Sequence, residues 1–144
     1  MIKKILVAID GSSQANHALD FALSLAQKYS AEVMLLAVVP PVFLPLPSLN
    51  IIKSQAVADA SAELERFYST VISNAEEKAR KNNTSLKLFT ELKHGNPDEV
   101  IIETAGYGKF DIIVIGSRGY RDYSLGSVSS RVAEKATCPI LIVK

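Results

Sequence analysis

Short apolar runs alternate along the chain with longer stretches in which apolar residues recur at every third or fourth position. A continuous run such as VMLLAVV at 33–39 is typical of a strand that is covered on both faces, and the longer spacing is typical of amphipathic helices. The pattern predicts strands over 2–9, 31–39, 85–93, 112–115 and 139–143. Between them it predicts helices from 12 or 13 to about 30, from about 54 to 82, from 96 to about 106 or 108, and from 127 to about 136.

This alternation of strand and helix has consequences for the fold. It favours a parallel sheet with right-handed crossovers and helices on both faces. The sequence therefore predicts one domain over 1–144, an open five-stranded parallel sheet in a three-layer α/β/α arrangement. Such sheets bind ligands at the carboxyl ends of the strands, where the strand order reverses. If the first strand lies beside the fourth, that crevice lies between Asp10-Gly11-Ser12 and the stretch from Gly116 to Ser127.

The segment after the second strand is rich in proline. Four prolines in residues 40–47 exclude a helix or a central strand there. We therefore expect an apolar loop from Pro40 to about Lys53, with the second helix starting near Ser54. The loop can pack on its own domain, cover a ligand or contact a second subunit, and the sequence leaves these alternatives open.

Charge and cysteine content limit the possible partners. The formal net charge is +1, which is too balanced to indicate binding to nucleic acid or to a membrane surface. One cysteine cannot form an intramolecular disulfide, and this favours a reducing compartment. No apolar stretch reaches the ~18–20 residues of a membrane span. The sequence thus predicts a cytoplasmic protein without nucleic-acid or membrane partners.

The stretch DIIVIGSRGYRDYSLGSVSSR at 111–131 carries the main chemical signal. It predicts a buried strand that ends at Gly116, a loop containing Gly119 and Gly126, and a serine-rich helix start. Glycines let backbone N–H groups approach an anion, and the dipole of a helix favours negative charge at its N-terminus. Arg118 can add positive charge. The stretch is neither a P-loop nor a GxGxxG fingerprint, so the residues alone indicate an anion site of unspecified ligand.

Four motifs resemble those of the universal stress proteins, and together they extend over nearly the whole chain. They are ILVAIDGS at 5–12, HGNPDEVII at 94–102, DIIVIGSRG at 111–119 and LGSVSSRVAEKATCPILIV at 125–143. The resemblance implies strand order 3-2-1-4-5 and a fold like that of the adenine-nucleotide α-hydrolases. It also implies a homodimer that forms through the last strand, at Pro139, Ile140, Leu141, Ile142 and Val143.

The same resemblance implies an adenine-nucleotide site. The acid at the end of the first strand contacts the nucleoside, the end of the second strand lies by the base, and the glycines and following hydroxyls hold the phosphates. The residues implied are Ile9, Asp10, Gly11, Ser12, Val38, Gly116, Arg118, Gly119, Gly126, Ser127, Val128 and Ser129. The ligand implied is ATP or AMP, with Asp10 as a candidate Mg²⁺ contact through the nucleotide.

The chain departs from the family pattern between two of the glycines. Six residues, YRDYSL, separate Gly119 from Gly126, whereas the nucleotide-binding pattern is G-x2-G-x9-G-[S/T]. Three functions follow as alternatives. One is a nucleotide-binding regulatory or stress-response protein, another is a slow ATPase or phosphotransferase, and the third is a nucleotide-free dimerising module whose site the short loop has closed.

Overall fold

Strands and helices alternate along the chain, as the hydrophobic pattern predicts. The structure, a computed structural model, describes residues 1–43, 50–81, 83–117 and 125–144. The elements are β1 (Lys4–Ala8), α1 (Ser13–Tyr29), β2 (Glu32–Val39), α2 (Asn50–Lys81), β3 (Leu88–His94), α3 (Pro97–Tyr107), β4 (Ile112–Gly116), α4 (Ser127–Lys135) and β5 (Ile140–Val143).

The strands form one parallel sheet in the order β3-β2-β1-β4-β5, and this confirms the expected strand order. Strand β1 lies in the middle, where Leu6 is level with Met34 of β2 and with Ile113 of β4. Because β1 is covered on both faces, Ile5, Leu6 and Val7 are fully buried. The chain moves from β1 to β2 on one side and arrives at β4 on the other, so the strand order reverses between β1 and β4.

The two faces of the sheet carry separate cores. On one face α1 and the end of α2 pack on the sheet, with Leu19 and Ala79 among the fully buried residues. On the other face α3 and α4 contribute Ile101 and Val132. The sheet and its two helical layers confirm the predicted α/β/α architecture.

Helix α2 begins earlier than predicted. It starts at Asn50, whereas the sequence placed a loop to about Lys53. Residues 50–53, NIIK, contain no proline or glycine and follow the last proline of the segment, at 47, so nothing in their sequence prevents a helix. Residues 44–49 of the predicted apolar loop lie outside the described residues. Of its first part, Phe43 is 85% exposed.

Two predicted helix starts are in place, and their caps differ. The Ser12 Oγ accepts a hydrogen bond from the Ala15 backbone N–H at 3.1 Å, which is the expected N-cap of α1. Asn96 holds the N-cap position of α3, but its side chain makes no capping bond. Instead the Asn96 amide donates to the Glu99 carboxylate at 3.2 Å. Pro97 at the first helical position has a φ that suits a helix, so it favours the start of α3 without that capping bond.

Asp111 ties the starts of two central strands together. Its Oδ2 accepts the backbone N–H groups of Lys3 at 2.8 Å and of Lys4 at 2.9 Å. These hydrogen bonds favour the charged carboxylate and lower the pKa of Asp111 below its ordinary value. The carboxylate therefore fixes the start of β1 against the start of β4. This contact lies at the amino-terminal ends of the strands, and the predicted crevice lies at their carboxyl ends.

Candidate functional site

A pocket opens at the carboxyl ends of β1, β2 and β4, where the strand order reverses. Its volume is about 280 Å³, close to the lower end of the range for small-molecule sites. The lining residues are Ala8, Ile9, Asp10, Ser12, Ala15, Leu36, Val38, Pro40, Tyr68, Pro97, Ile101, Ile115, Gly116, Ser117, Val128 and Ser129.

The turn after β1 presents a carboxylate in a fixed position. The Asp10 Oδ1 accepts the Ser12 backbone N–H at 2.9 Å, and the Ser12 hydroxyl in turn caps α1. Gly11 between them has φ +87°, a left-handed conformation that glycine adopts at little cost. A Cβ on Gly11 would lie 3.1 Å from the Val71 Cγ2 of α2, so the turn is also packed closely against that helix.

Gly116 is required by packing at the end of β4. A Cβ at this position would lie 2.6 Å from the Gln14 carbonyl carbon and 2.8 Å from the Ala15 backbone nitrogen. Any other residue would therefore push the first turn of α1 away from the sheet. Glycine at 116 lets the turn after β1 and the end of β4 meet on the two sides of the pocket.

The N-terminus of α4 forms the polar end of the pocket. Gly126 is its N-cap, and the first turn has no acidic residue. The backbone N–H groups of Ser127, Val128 and Ser129 lack partners within the helix, because the first turn of any α-helix leaves them without one. The buried Ser129 hydroxyl donates to the Gly126 carbonyl at 3.1 Å, so its oxygen can still accept. This arrangement suits an anion such as a phosphate.

Apolar side chains form much of the remaining lining of the pocket. Leu36, Val38 and Pro40 come from β2 and the residue after it, and Pro97 and Ile101 come from α3. Leu36 is 1% exposed and Val38 is 6% exposed, so this part of the lining is well packed. A pocket that combines apolar lining residues with backbone donors can hold a flat ring system joined to a phosphate.

The structure places most of the predicted residues around this pocket. Those that line it are Ile9, Asp10, Ser12, Val38, Gly116, Val128 and Ser129. Gly11 and Ser127 are next to lining residues in the chain and Gly126 is two residues before Val128, but none of the three lines the pocket itself. Arg118 and Gly119 lie outside the described residues, as does most of the YRDYSL segment.

Sequence reasoning missed the contributions of α2 and α3 to the pocket. Tyr68 lines it from α2, and Pro97 and Ile101 line it from α3. For α3 a signal existed, because its start follows β3 at the same edge of the sheet as the other strand ends. For Tyr68 the sequence gives no such signal, since residues in the middle of a long helix can reach either end of the sheet.

The described residues hold no group of three or more His, Cys, Asp or Glu side chains that could bind a metal. Mg²⁺ bound with a nucleotide needs less from the protein, because it takes one or two carboxylates together with substrate phosphates and water. Asp10 lines the pocket and provides one carboxylate, so the residues fit a Mg²⁺–nucleotide complex.

Strand β5 lies at the edge of the sheet. Two hydrogen bonds tie it to β4 and beyond: the Ile113 N–H donates to the Pro139 carbonyl at 3.0 Å, and the Ser117 N–H donates to the Val143 carbonyl at 2.7 Å. Backbone groups alternate in direction along a strand, so those of Ile140 and Ile142 point to the outer side. Within the described residues no strand pairs with that side.

The length and hydropathy of the helices bear on whether one of them could cross a membrane. Among the residues that the structure describes, no helix is both long enough and apolar enough to cross a membrane.

A family model, related sequences and solved structures all indicate the same protein family for this chain. The model of the universal stress protein family matches residues 1–144. The universal stress protein YxiE of Bacillus subtilis is 33% identical over 100% of both chains. The solved structure of the universal stress protein UspA from Lactobacillus plantarum superposes with a TM-score of 0.75 at 25% identity, covering 99% of this chain and 98% of that one.

Two further solved structures of similar fold contain nucleotides. A universal stress protein in complex with cAMP has a TM-score of 0.74 at 22% identity, covering 99% of this chain and 97% of that one. A family member from Arabidopsis thaliana with AMP bound has a TM-score of 0.67 at 19% identity, covering 99% and 91%. At these identities the likeness concerns the fold.

Proposed function

The chain belongs to the universal stress protein family, and we propose that it is a regulatory module that binds an adenine nucleotide, ATP or AMP, and works as a homodimer. The nucleotide would occupy the pocket between the Asp10 turn and the N-terminus of α4. Its binding would bias the conformation of the protein or the docking of a partner, since a ligand shifts an equilibrium by its differential affinity for two states.

One observation carries the nucleotide proposal: the pocket at the reversal of strand order is lined by apolar side chains, a carboxylate and a helix N-terminus. The apolar lining at Val38 suits the base. The Asp10 carboxylate suits the hydroxyls of a ribose, and the first turn of α4 suits the phosphates. The AMP and cAMP held by two proteins of similar fold support this choice of ligand.

The dimer proposal rests on β5. Its outer side offers the backbone groups of Ile140 and Ile142, and an apolar edge strand is suited to pair with a second copy across a two-fold axis. Pro139, Leu141 and Val143 also belong to the proposed interface, although their backbone groups point towards β4.

The nucleotide proposal is tested by thermal unfolding with and without ATP, ADP and AMP at millimolar concentration, with and without Mg²⁺. A ligand present at about 100 times its Kd stabilises the native state by about 2.7 kcal/mol. For a domain of this size we expect the melting temperature to rise by roughly 8–11 °C. No rise with any nucleotide would refute the proposal and favour a nucleotide-free dimerising module.

Two matched variants locate the site. Asp10→Asn removes the carboxylate charge in the pocket, and Asp59→Asn makes the same change on the exposed surface of α2. We expect Asp10→Asn to weaken nucleotide binding and Asp59→Asn to leave it unchanged. Equal affinities for the two variants would place the nucleotide elsewhere. Phosphate released steadily from ATP over hours would instead favour slow hydrolysis.

The dimer proposal is tested by light scattering during gel filtration. Ile142→Pro removes the N–H that points to the outer edge of β5, and proline is tolerated at such edge positions. Ile142→Val keeps that N–H and serves as the control. We expect a dimer for the wild type and the Val variant and a folded monomer for the Pro variant. A wild-type monomer at high micromolar concentration would refute this part of the proposal.

A further inference from the structure

Tyr68 holds an unusual place among the residues that line the pocket. The others lie in or directly after the second half of a strand, or near the starts of α1, α3 and α4. Tyr68 comes from the middle of α2, and among the described lining residues it is the one that this helix contributes. It is also a lining residue with an aromatic ring.

Close packing against the Asp10 turn positions Tyr68. A Cβ on Gly11 would lie 3.1 Å from the Val71 Cγ2 and 3.4 Å from the Phe67 Cζ, so α2 lies directly on this turn. The Phe67 and Tyr68 rings then meet edge to face, with centroids 5.1 Å apart and an interplanar angle of 88°. Edge-to-face contact restrains the orientation of both rings. The Tyr68 ring is therefore held at the pocket by neighbours on its own helix.

The position of α2 decides which half of a ligand Tyr68 would meet. Helix α2 packs on β2 and β3, and its Phe67 and Val71 lie against Gly11, next to Asp10. The N-terminus of α4 packs on the opposite face of the sheet. Tyr68 is thus on the side of the Asp10 carboxylate, which suits the sugar of a nucleotide, away from the helix N-terminus that suits phosphate.

We propose that Tyr68 is a ligand-contacting residue that recognises the nucleoside part of the bound nucleotide and sets the affinity for it; this rests on the function proposed above. The face of the phenol ring offers a surface for a base or sugar, and its hydroxyl can both donate and accept hydrogen bonds. Helix α2 would then be linked to occupancy of the pocket through one side chain.

The test measures Kd for adenosine, AMP and ATP by calorimetry with three variants. Tyr68→Ala removes the ring, Tyr68→Leu keeps apolar bulk without a ring face, and Tyr107→Ala removes a tyrosine of α3 that is 88% exposed. We expect Tyr68→Ala and Tyr68→Leu to weaken binding about ten-fold, a loss typical of a lost base–aromatic contact. The factor should be the same for all three ligands, because a nucleoside contact does not depend on the number of phosphates. Tyr107→Ala should bind like the wild type.

Two results would overturn the role of Tyr68. One is wild-type affinity in the Tyr68→Leu variant, and the other is a loss that grows from adenosine to ATP, which would mean a phosphate contact. A measurement on the unmodified protein covers the case in which the variants do not fold. Photolabelling with 8-azidoadenosine should modify the peptide that contains Tyr68, and labelling confined to other peptides would refute the contact. If the wild type binds no nucleoside or nucleotide at all, the proposed function itself fails, which is a separate outcome.

Discussion

Replacing Gly116 by alanine should destabilise the protein, because the added Cβ meets the backbone of α1. The three nearest atoms would be the Gln14 carbonyl carbon at 2.6 Å and the Ala15 nitrogen and Gln14 oxygen, both at 2.8 Å. Ordinary contacts between carbon atoms lie at about 3.5–4.0 Å. The first turn of α1 would therefore have to move by about 1 Å. Backbone atoms cannot rotate away as the end of a side chain can.

That movement would disturb a well-buried helix. Ala15 is 3% exposed, and α1 also buries Ala18 and Leu19 completely against the sheet. Overpacking of such a site costs about 1–3 kcal/mol. Taking about 2 kcal/mol, we expect the melting temperature to fall by roughly 6–8 °C.

Thermal and urea unfolding measure this change, with Gly106→Ala as the matched control. No atom lies within 4 Å of a Cβ built on Gly106, which belongs to α3. Alanine is favoured over glycine in a helix, so the control should melt at the wild-type temperature or slightly above it. A Gly116→Ala variant as stable as the wild type would refute the close approach of α1 to the end of β4.

Three further predictions concern other fixed points of the fold. The Asp111 pKa is lowered in the folded state by two backbone N–H groups, so its contribution to stability is complete above the ordinary value of about 3.9 and is lost as the pH falls through the folded pKa. Urea midpoints at pH 7 and pH 3 should therefore differ less in Asp111→Asn than in the wild type; an equal difference would contradict this. Ser12→Ala should lower stability by about 1 kcal/mol through loss of the N-cap of α1, while Ser13→Ala should not, and equal urea midpoints would refute the cap. Gly11→Ala should cost about 1–2 kcal/mol because φ is +87°, and Gly11→Asn should cost less, since asparagine tolerates this conformation; the reverse order of unfolding temperatures would exclude this explanation.

The sheet could be predicted from the sequence because each strand has a strong local signal. The run Ile112–Gly116 is apolar and β-branched and ends in glycine, and the structure has β4 over those residues. Once the strands alternate with helices, the handedness of the crossovers leaves few topologies, and the resemblance to a family selected among them. The pocket followed from the same step, since β1 beside β4 brings Asp10 towards Gly116.

The limits of prediction are clearest in α2. The sequence places its start too late. Proline shows where a helix is excluded, but the residues after Pro47 neither exclude nor favour a helix start. Of two adjacent aromatic residues in this helix, Phe67 is 53% exposed and Tyr68 lines the pocket. Helical periodicity identifies a face of a helix. It does not tell which turn of a long helix reaches the carboxyl edge of the sheet, because that depends on tertiary packing.

The glycines of the site show why a motif does not separate packing from binding. Gly116 and Gly11 both belong to the implied nucleotide site, and the structure gives each of them a steric reason of its own. At Gly116 the backbone of α1 leaves no room for a side chain, and at Gly11 the backbone has a positive φ. Substitutions at these two residues would disturb the fold as well as ligand binding, so Asp10 and Tyr68 are better probes of binding.

The most direct test of the account is a titration of ¹⁵N-labelled protein with AMP, followed by NMR. We expect the backbone amide signals of Asp10, Ser12, Val38, Val128 and Ser129 to shift together and to give one Kd, because these residues line one pocket. The signals at the starts of the strands, such as those of Lys3 and Asp111, should not move. An unchanged spectrum at millimolar AMP, or shifts confined to the starts of the strands, would contradict the central claim that this pocket binds an adenine nucleotide.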